Sequence, residues 1–275
     1  MKKSVSAYPY VLWAILFTVI PLVMVLVYSV YDHSTGTFTL EYIKKCFEPE
    51  YLKVILYSFK VALYCTVLCL VIGYPLAMIL AKTTFKRKNT LLFLVIAPMW
   101  MNFLLRTYAW LTILENNGIL NKILGFFNLG PYQFLYNEGA VLLGMVYNYL
   151  PFMILPIYTV ISKLDNSIIQ ASYDLGASKS QTFMRVELPL SMPGVYSGIA
   201  MVFMPAVTTF VISKLLGGGQ QAMIGNVIEK QFLEMGSRSS FGSALSLLLI
   251  VVILISMAIS NKLNPDDNSE GGGLF

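Results

Sequence analysis

The chain has 275 residues, of which 57% are hydrophobic and 12% charged, a balance that excludes a water-soluble globular domain and makes the bilayer its solvent. The formal charge of +5 sits mainly in short segments between apolar runs, so it reads as a topology signal rather than as affinity for nucleic acid.

Crossing a hydrocarbon core of about 30 Å takes roughly 20 apolar residues per helix. Uncharged runs of that order cover residues 4–31, 61–81, 89–105 (continuing past Arg106 through 107–114), 139–162, 188–213 and 239–261. The expectation is an all-α membrane protein with one transmembrane domain over 1–275, its six helices at about residues 8–31, 54–81, 89–113, 139–162, 193–213 and 239–261. Lys2 and Lys3 precede the first run as in a signal peptide. The run is nevertheless too long for an h-region and no small-x-small cleavage site follows, so it is expected to stay as an anchor. Lys2, Lys3, Lys82, Lys86, Arg87 and Lys88 put the N-terminus and the loop after the second helix on the cytoplasmic side. Alternation then places residues 163–187 and the C-terminus inside, and leaves 32–53, 115–138 and 214–238 outside.

In the first outer loop Asp32, Glu41, Glu48 and Glu50 alternate with Lys44, Lys45 and Lys53, and the single histidine, His33, reads as a solvated residue. Cys46 in that loop, and Cys65 and Cys69 one turn apart in the second span, have neither metal-ligand spacing nor an evident disulfide partner; they read as small apolar fillers, and no metal site is expected. Polar and aromatic side chains within a span face a cavity or a neighbouring helix, because lipid penalises them. On that ground the candidate pathway residues are Trp100, Asn102, Arg106, Tyr108 and Trp110 in the third span, Tyr147, Asn148 and Tyr149 in the fourth, and Thr208 and Thr209 in the fifth. The alternative is an interfacial belt for the rings and a snorkelling or ion-pairing role for Arg106. In the second outer loop Ile119, Leu120, Ile123, Leu124 and Phe127 recur at helical spacing, as in a short amphipathic helix on the outer rim.

The cytoplasmic segment 163–192 reads as two short helices with a break. Asp165 or Asn166 can cap a helix running to about Leu175, Gly176 suits the position just past its end, and Ser178 can cap the next helix with Gln181 returning the bond. Pro189 is expected to end that second helix. Small residues Ala171, Gly176 and Ala177 let another protein approach the backbone, with Phe183 as an apolar anchor. Beyond the fifth span, Gly217, Gly218 and Gly219 make a turn or a hinge, and Met223, Val227, Ile228 and Phe232 form a second rim helix. The tail 264–275, acidic and glycine-rich, is expected to be disordered.

Gln170, Ala171 and Ser172, then Gly176 and Ala177, Phe183, Val186, Leu188, Pro189, Pro193 and Gly194 are in register with a known pattern. They resemble the signature loop of binding-protein-dependent ABC importer permeases, in which Glu-Ala-Ala, three residues and Gly are followed further on by Ile, one residue, Leu and Pro. Gln170 stands for the acid and Ser172 for the second Ala, which puts a charge-dependent contact at Gln170 in doubt. The resemblance implies a type I ABC importer permease fold. It also implies a coupling helix seated in an ATPase subunit and made by Gln170, Ala171, Ser172, Asp174, Gly176 and Ala177, with Phe183, Leu188 and Pro189 behind it. No Gly-x-x-x-x-Gly-Lys-Ser/Thr phosphate loop occurs here, so the chain is expected to be a non-catalytic subunit without cofactors, ATP and Mg being held by the partner ATPase.

Residues 97–108, 150–156 and 224–232 extend the likeness to the permeases of spermidine and putrescine importers over nearly the whole chain. That resemblance implies polyamine uptake across a bacterial cytoplasmic membrane, with a second related permease, two ATPase copies and an extracytoplasmic binding protein as partners. No Asp or Glu lies in the middle of a span, so a polyamine would depend on aromatic faces there; Asp32, Glu115 and Glu138 at the outer mouth read either as groups that attract cations or as ordinary solvated charges, and Lys60 also falls near the outer end of a span. An inorganic anion or phosphonate cargo remains open, with Arg106 as the substrate group. An ion-coupled transporter lacks its buried acids here, and a membrane enzyme lacks its nucleophile and base.

Overall fold

The structure is a computed structural model describing residues 8–32, 36–83, 85–220, 222–235 and 239–263; Lys2, Lys3, His33, Arg238 and the tail 264–275 lie outside the described residues. The first apolar run forms α1 (Tyr8–Ala14), a π turn (Ile15–Val19) and α2 (Ile20–Val30), a continuous helix with Pro21 at its second start. A short hairpin, β1 (Tyr31–Asp32) with β2 (Thr37–Phe38), and α3 (Glu41–Lys45) follow. Cys46 closes α3 by donating its thiol to the Tyr42 carbonyl at 3.3 Å, and burial pushes that thiol up to about 11.

Helix α4 (Pro49–Lys82) runs 34 residues, and α5 (Phe85–Trp100) and α6 (Phe103–Leu114) come next. The third span, expected as one helix, is bent by 94° between these two. Asn102 causes the break: it leaves helical geometry and its side chain accepts the Leu104 N–H at 2.8 Å, starting a new helix just after Pro98 has weakened the old one. Among the described residues five helices are long and apolar enough to cross a membrane singly, and there are six if the bent pair is one span. The remaining helices are α7 (Ile119–Phe126), α8 (Glu138–Lys163), α9 (Asn166–Asp174), α10 (Lys179–Thr182), α11 (Leu188–Thr208), α12 (Val211–Leu216), α13 (Ile224–Met235) and α14 (Ser240–Leu263).

Pro189 does not end a helix. A π turn at Phe183–Glu187 joins α10 to α11, and the Leu188 N–H donates to the Phe183 carbonyl, so one helix runs from Lys179 to Thr208. The widened turn changes the register just before the proline, the same device that precedes Pro21 in the first span.

Helices α4, α8 and α11 pack against one another and hold the core, with Val61, Met145, Met153, Ile154, Ile157 and Val202 fully buried. Glycines permit the close approach: a Cβ on Gly73 would lie 3.1 Å from Met153 Cγ, and one on Gly198 2.7 Å from Met153 Sδ. Helix α14 packs on α2 and α13, and the first span buries little of itself against the rest of the chain, Ser29 near its end being the exception.

Candidate functional site

The loop between α8 and α11 is closed by caps that its own residues supply. Asp165 precedes α9 and its Oδ1 accepts the Ser167 N–H at 2.9 Å, a carboxylate at the positive end of a helix. That backbone hydrogen bond holds the Asp165 carboxyl below the ordinary carboxylate range. Gly176, at φ +82°, turns the chain: the Ala177 N–H donates to the Ser172 carbonyl at 3.0 Å and the Gly176 N–H to the Tyr173 carbonyl at 2.9 Å, the paired bonds of a Schellman motif. Ser178 then opens α10 with a capping box, its N–H donating to Gln181 Oε1 at 2.9 Å and its Oγ accepting the Gln181 N–H at 3.3 Å. The Ser172 and Thr182 hydroxyls share a bond of 2.9 Å, so a serine where the signature carries Ala fastens the two short helices together.

Gln170, Ala171 and Asp174 are exposed and Ala177 is half-buried. No heavy atom lies within 4 Å of a Cβ built on Gly176, so the chain's own packing leaves that position open and its backbone conformation is what favours glycine. The ring of Phe183 turns inward, packing edge-on against Tyr74 at 5.8 Å, so it anchors the loop to the bundle. Leu175, 89% exposed, is the most exposed apolar side chain of the loop, beside Ile168, Tyr173 and Met184, and the sequence marked it only as a helix end. Its place immediately before a helix-ending glycine was the available signal.

Two further contacts brace this loop to α4. Lys82 Nζ donates to both carboxylate oxygens of Glu187 at 2.8 Å, with Glu187 buried, and the Tyr74 and Ser191 hydroxyls share a 2.8 Å bond. Leu188 is half-buried and Pro189 exposed at the start of α11.

Among the candidate pathway residues the fold groups Arg106, Tyr149 and Thr209. Arg106 is buried, and its Nε and Nη1 have no hydrogen-bond partner among the described residues. Arg106 and Thr209 both lie near the Tyr149 hydroxyl, which donates to the Pro205 carbonyl at 3.3 Å. Asn148, adjacent in sequence, donates to the Gly144 carbonyl at 2.8 Å and leaves its Oδ1 unpartnered among the described residues. Trp110 and Tyr147 pair edge-on at 5.4 Å. The others have local explanations: Trp100 is exposed against Phe93, Asn102 is a helix cap, Tyr108 is exposed, and Thr208 bonds within its own helix to Met204.

A helical bundle of apolar spans with a capped, projecting loop before the fifth of them is the setting for one comparison. Residues 73–266 match the family described as binding-protein-dependent transport system inner membrane component. The chain belongs to that family. The permease is 39% identical over 254 residues to the spermidine/putrescine transport system permease protein PotB of Escherichia coli (strain K12), covering 90% of this chain and 92% of that one. It is also 39% identical over 259 residues to PotB of Haemophilus influenzae, covering 92% and 90%. Among solved structures, a bacterial ABC transporter involved in import of the acidic polysaccharide alginate superposes with a TM-score of 0.76 at 17% identity, covering 94% of this chain and 93% of that chain, and so shares the fold. As a member of this family the permease is a multi-span membrane transport component rather than an enzyme. The family match begins at Gly73 within α4, so it takes in Tyr74, Lys82 and the whole braced loop and leaves the first span outside it.

Proposed function

We propose that this permease imports polyamines, spermidine and putrescine, as one of two related permease subunits driven by two copies of an ATPase that holds ATP and Mg, and loaded by an extracytoplasmic binding protein. Spermidine/putrescine permeases aligned over nine-tenths of the chain carry the cargo reading. The capped loop with outward Leu175, braced to α4 through Lys82–Glu187, supports docking of the ATPase at Gln170, Ala171, Ser172, Asp174, Gly176 and Ala177. The N- and C-termini and this loop lie on the cytoplasmic side of a bacterial membrane, in keeping with the lysines and arginine around residues 82–88. Closure of the ATPases moves the loop; Phe183, Glu187 and Ser191 pass that movement to α4, and the bundle opens to the outside.

The test is uptake of labelled spermidine and putrescine in cells lacking their own polyamine import, with and without this chain, alongside Leu175→Glu. Uptake that needs the chain, lost in Leu175→Glu while the chain still reaches the membrane, is the expected result. An assembled, ATP-hydrolysing complex that imports neither polyamine would refute the cargo, and full transport by Leu175→Glu would refute the docking. The unpartnered guanidinium of Arg106 favours one second reading, an anionic cargo. Uptake of phosphate or phosphonate abolished in Arg106→Gln would establish it.

A further inference from the structure

At the end of the bundle opposite the docking loop, Lys60 on α4 reaches the first residue of α8. Its Nζ lies 3.1 Å from the Glu138 carboxylate, 5.3 Å from the centre of the Tyr57 ring and 5.5 Å from that of Tyr64. A cavity of about 140 Å³ opens beside this group, lined by Tyr57, Tyr136, Asn137, Glu138, Gly217 and Gln220 among others. It is roomy enough for several waters. Its wall is built with unusual backbone. Tyr136 sits at φ +65°, a conformation that bulky residues rarely adopt and that occurs in ligand clamps, and Gly218, at φ +60°, lies directly against the Tyr136 ring. The three glycines after α12 thus form a turn that seats this tyrosine, and the Tyr136 N–H donates to the Leu216 carbonyl at 2.8 Å.

A carboxylate with two aromatic faces around an ammonium is a cation site that already holds a cation. The occupant is a primary ammonium on a four-carbon stem, the same fragment as one end of a linear diamine. The ion pair is half-exposed, with Lys60 46% and Glu138 28% accessible, so an incoming cation can exchange with it at small cost. We propose that Glu138, Tyr57 and Tyr64 form an entry site for an alkylammonium group of the cargo, and that Lys60 is a resident surrogate which the cargo displaces. This deepens the polyamine reading and rests on it. Lys60 keeps the carboxylate paired when no cargo is present, and by competing it holds affinity low, as a conduit requires.

The experiment measures binding of labelled spermidine to the assembled transporter in nanodiscs, without the binding protein, for wild type, Lys60→Met, Glu138→Gln, the double variant and Tyr64→Leu. Each is normalised to assembled complex. Lys60→Met is expected to bind about tenfold more tightly than wild type, the worth of a half-exposed ion pair with two cation–π contacts. Adding Glu138→Gln to it should undo that gain, and Tyr64→Leu should weaken binding about threefold. Lys60→Met that binds no more tightly than wild type overturns the site. So does weakening by both single variants with recovery in the double, the signature of a structural ion pair. Wild-type complex that imports no polyamine even with its binding protein refutes the cargo reading instead, which separates the two failures.

Discussion

The docking loop and the Arg106 cluster are both polar regions of an apolar protein, and they are finished to different degrees. Between Asp165 and Thr182 the helix ends are met by neighbours close in sequence: Asp165 by Ser167, Ser172 by Ala177, Ser178 by Gln181. Among the described residues, two guanidinium nitrogens of Arg106 and, on α8, the Oδ1 of Asn148 have no partner. A buried polar group without a partner costs more than a hydrogen bond returns, so among the described residues the loop is the satisfied region and the cluster the open one.

The sharpest way to break this contrast is Arg106→Leu. An unpaired buried charge replaced by an apolar side chain is neutral or stabilising in the chain alone. If a group of another subunit or of the cargo meets the guanidinium in the assembled transporter, loss of that hydrogen bond to a charged group is worth roughly tenfold or more in uptake. We expect a thermal unfolding midpoint equal to or above wild type for the isolated permease, together with a collapse of transport. A large loss of stability in the isolated chain would show that Arg106 is completed from within it, and the contrast would disappear.

The same contrast explains what was legible in the sequence. Capping at Asp165, the glycine turn at 176 and the Ser178–Gln181 box are decided within a few residues, and reading the residue types in order finds them. The helical membrane bundle follows from composition over windows of about 20 residues, again local. Contacts that join distant segments were out of reach. Nothing in the order of residues ties Lys82 to Glu187, 105 positions apart, and Lys82 served only as a topology signal. Phe183 looked like an outward anchor because Tyr74, its packing partner, lies two spans away in sequence. Pro189 looked like a stop because a π turn leaves no compositional mark, and the third span looked continuous because Asn102 is a common residue whose capping role depends on where the backbone goes.

Lys82 and Glu187 test whether the docking loop is as self-contained as its caps suggest. Lys82→Met leaves the buried Glu187 carboxylate without its partner, and breaking a buried pair from one side costs on the order of 3 kcal/mol, less here because water already screens the half-exposed Lys82 ammonium. The caps are untouched, so hydrogen exchange in α9 and α10 should stay near wild type while the start of α11 loosens. Uptake should fall more steeply than ATP hydrolysis, since the brace and not the docking surface is lost. Equal loosening across α9 and α10 would mean that the loop depends on the bundle for its shape.

The smallest effect is a pH dependence confined to one cap. Asp165 is fully exposed and its carboxyl is held below its ordinary range by the Ser167 N–H, so the folded value is lower than the unfolded value of about 3.9. A carboxyl depressed in this sense stabilises the fold above the unfolded value, and the contribution is lost as pH falls through the folded one. Protection of the first turn of α9 against hydrogen exchange, divided by that of Asp165→Asn to remove the intrinsic pH dependence, should therefore be flat from neutral pH down to the carboxylate range and then decline. Added salt should shrink the decline, because the charge and the helix end it faces are both in water. Asp165→Asn keeps a capping oxygen without a titrating charge, so its uptake at neutral pH should match wild type. A ratio that stays level through the acid range would mean that the cap is held by geometry alone.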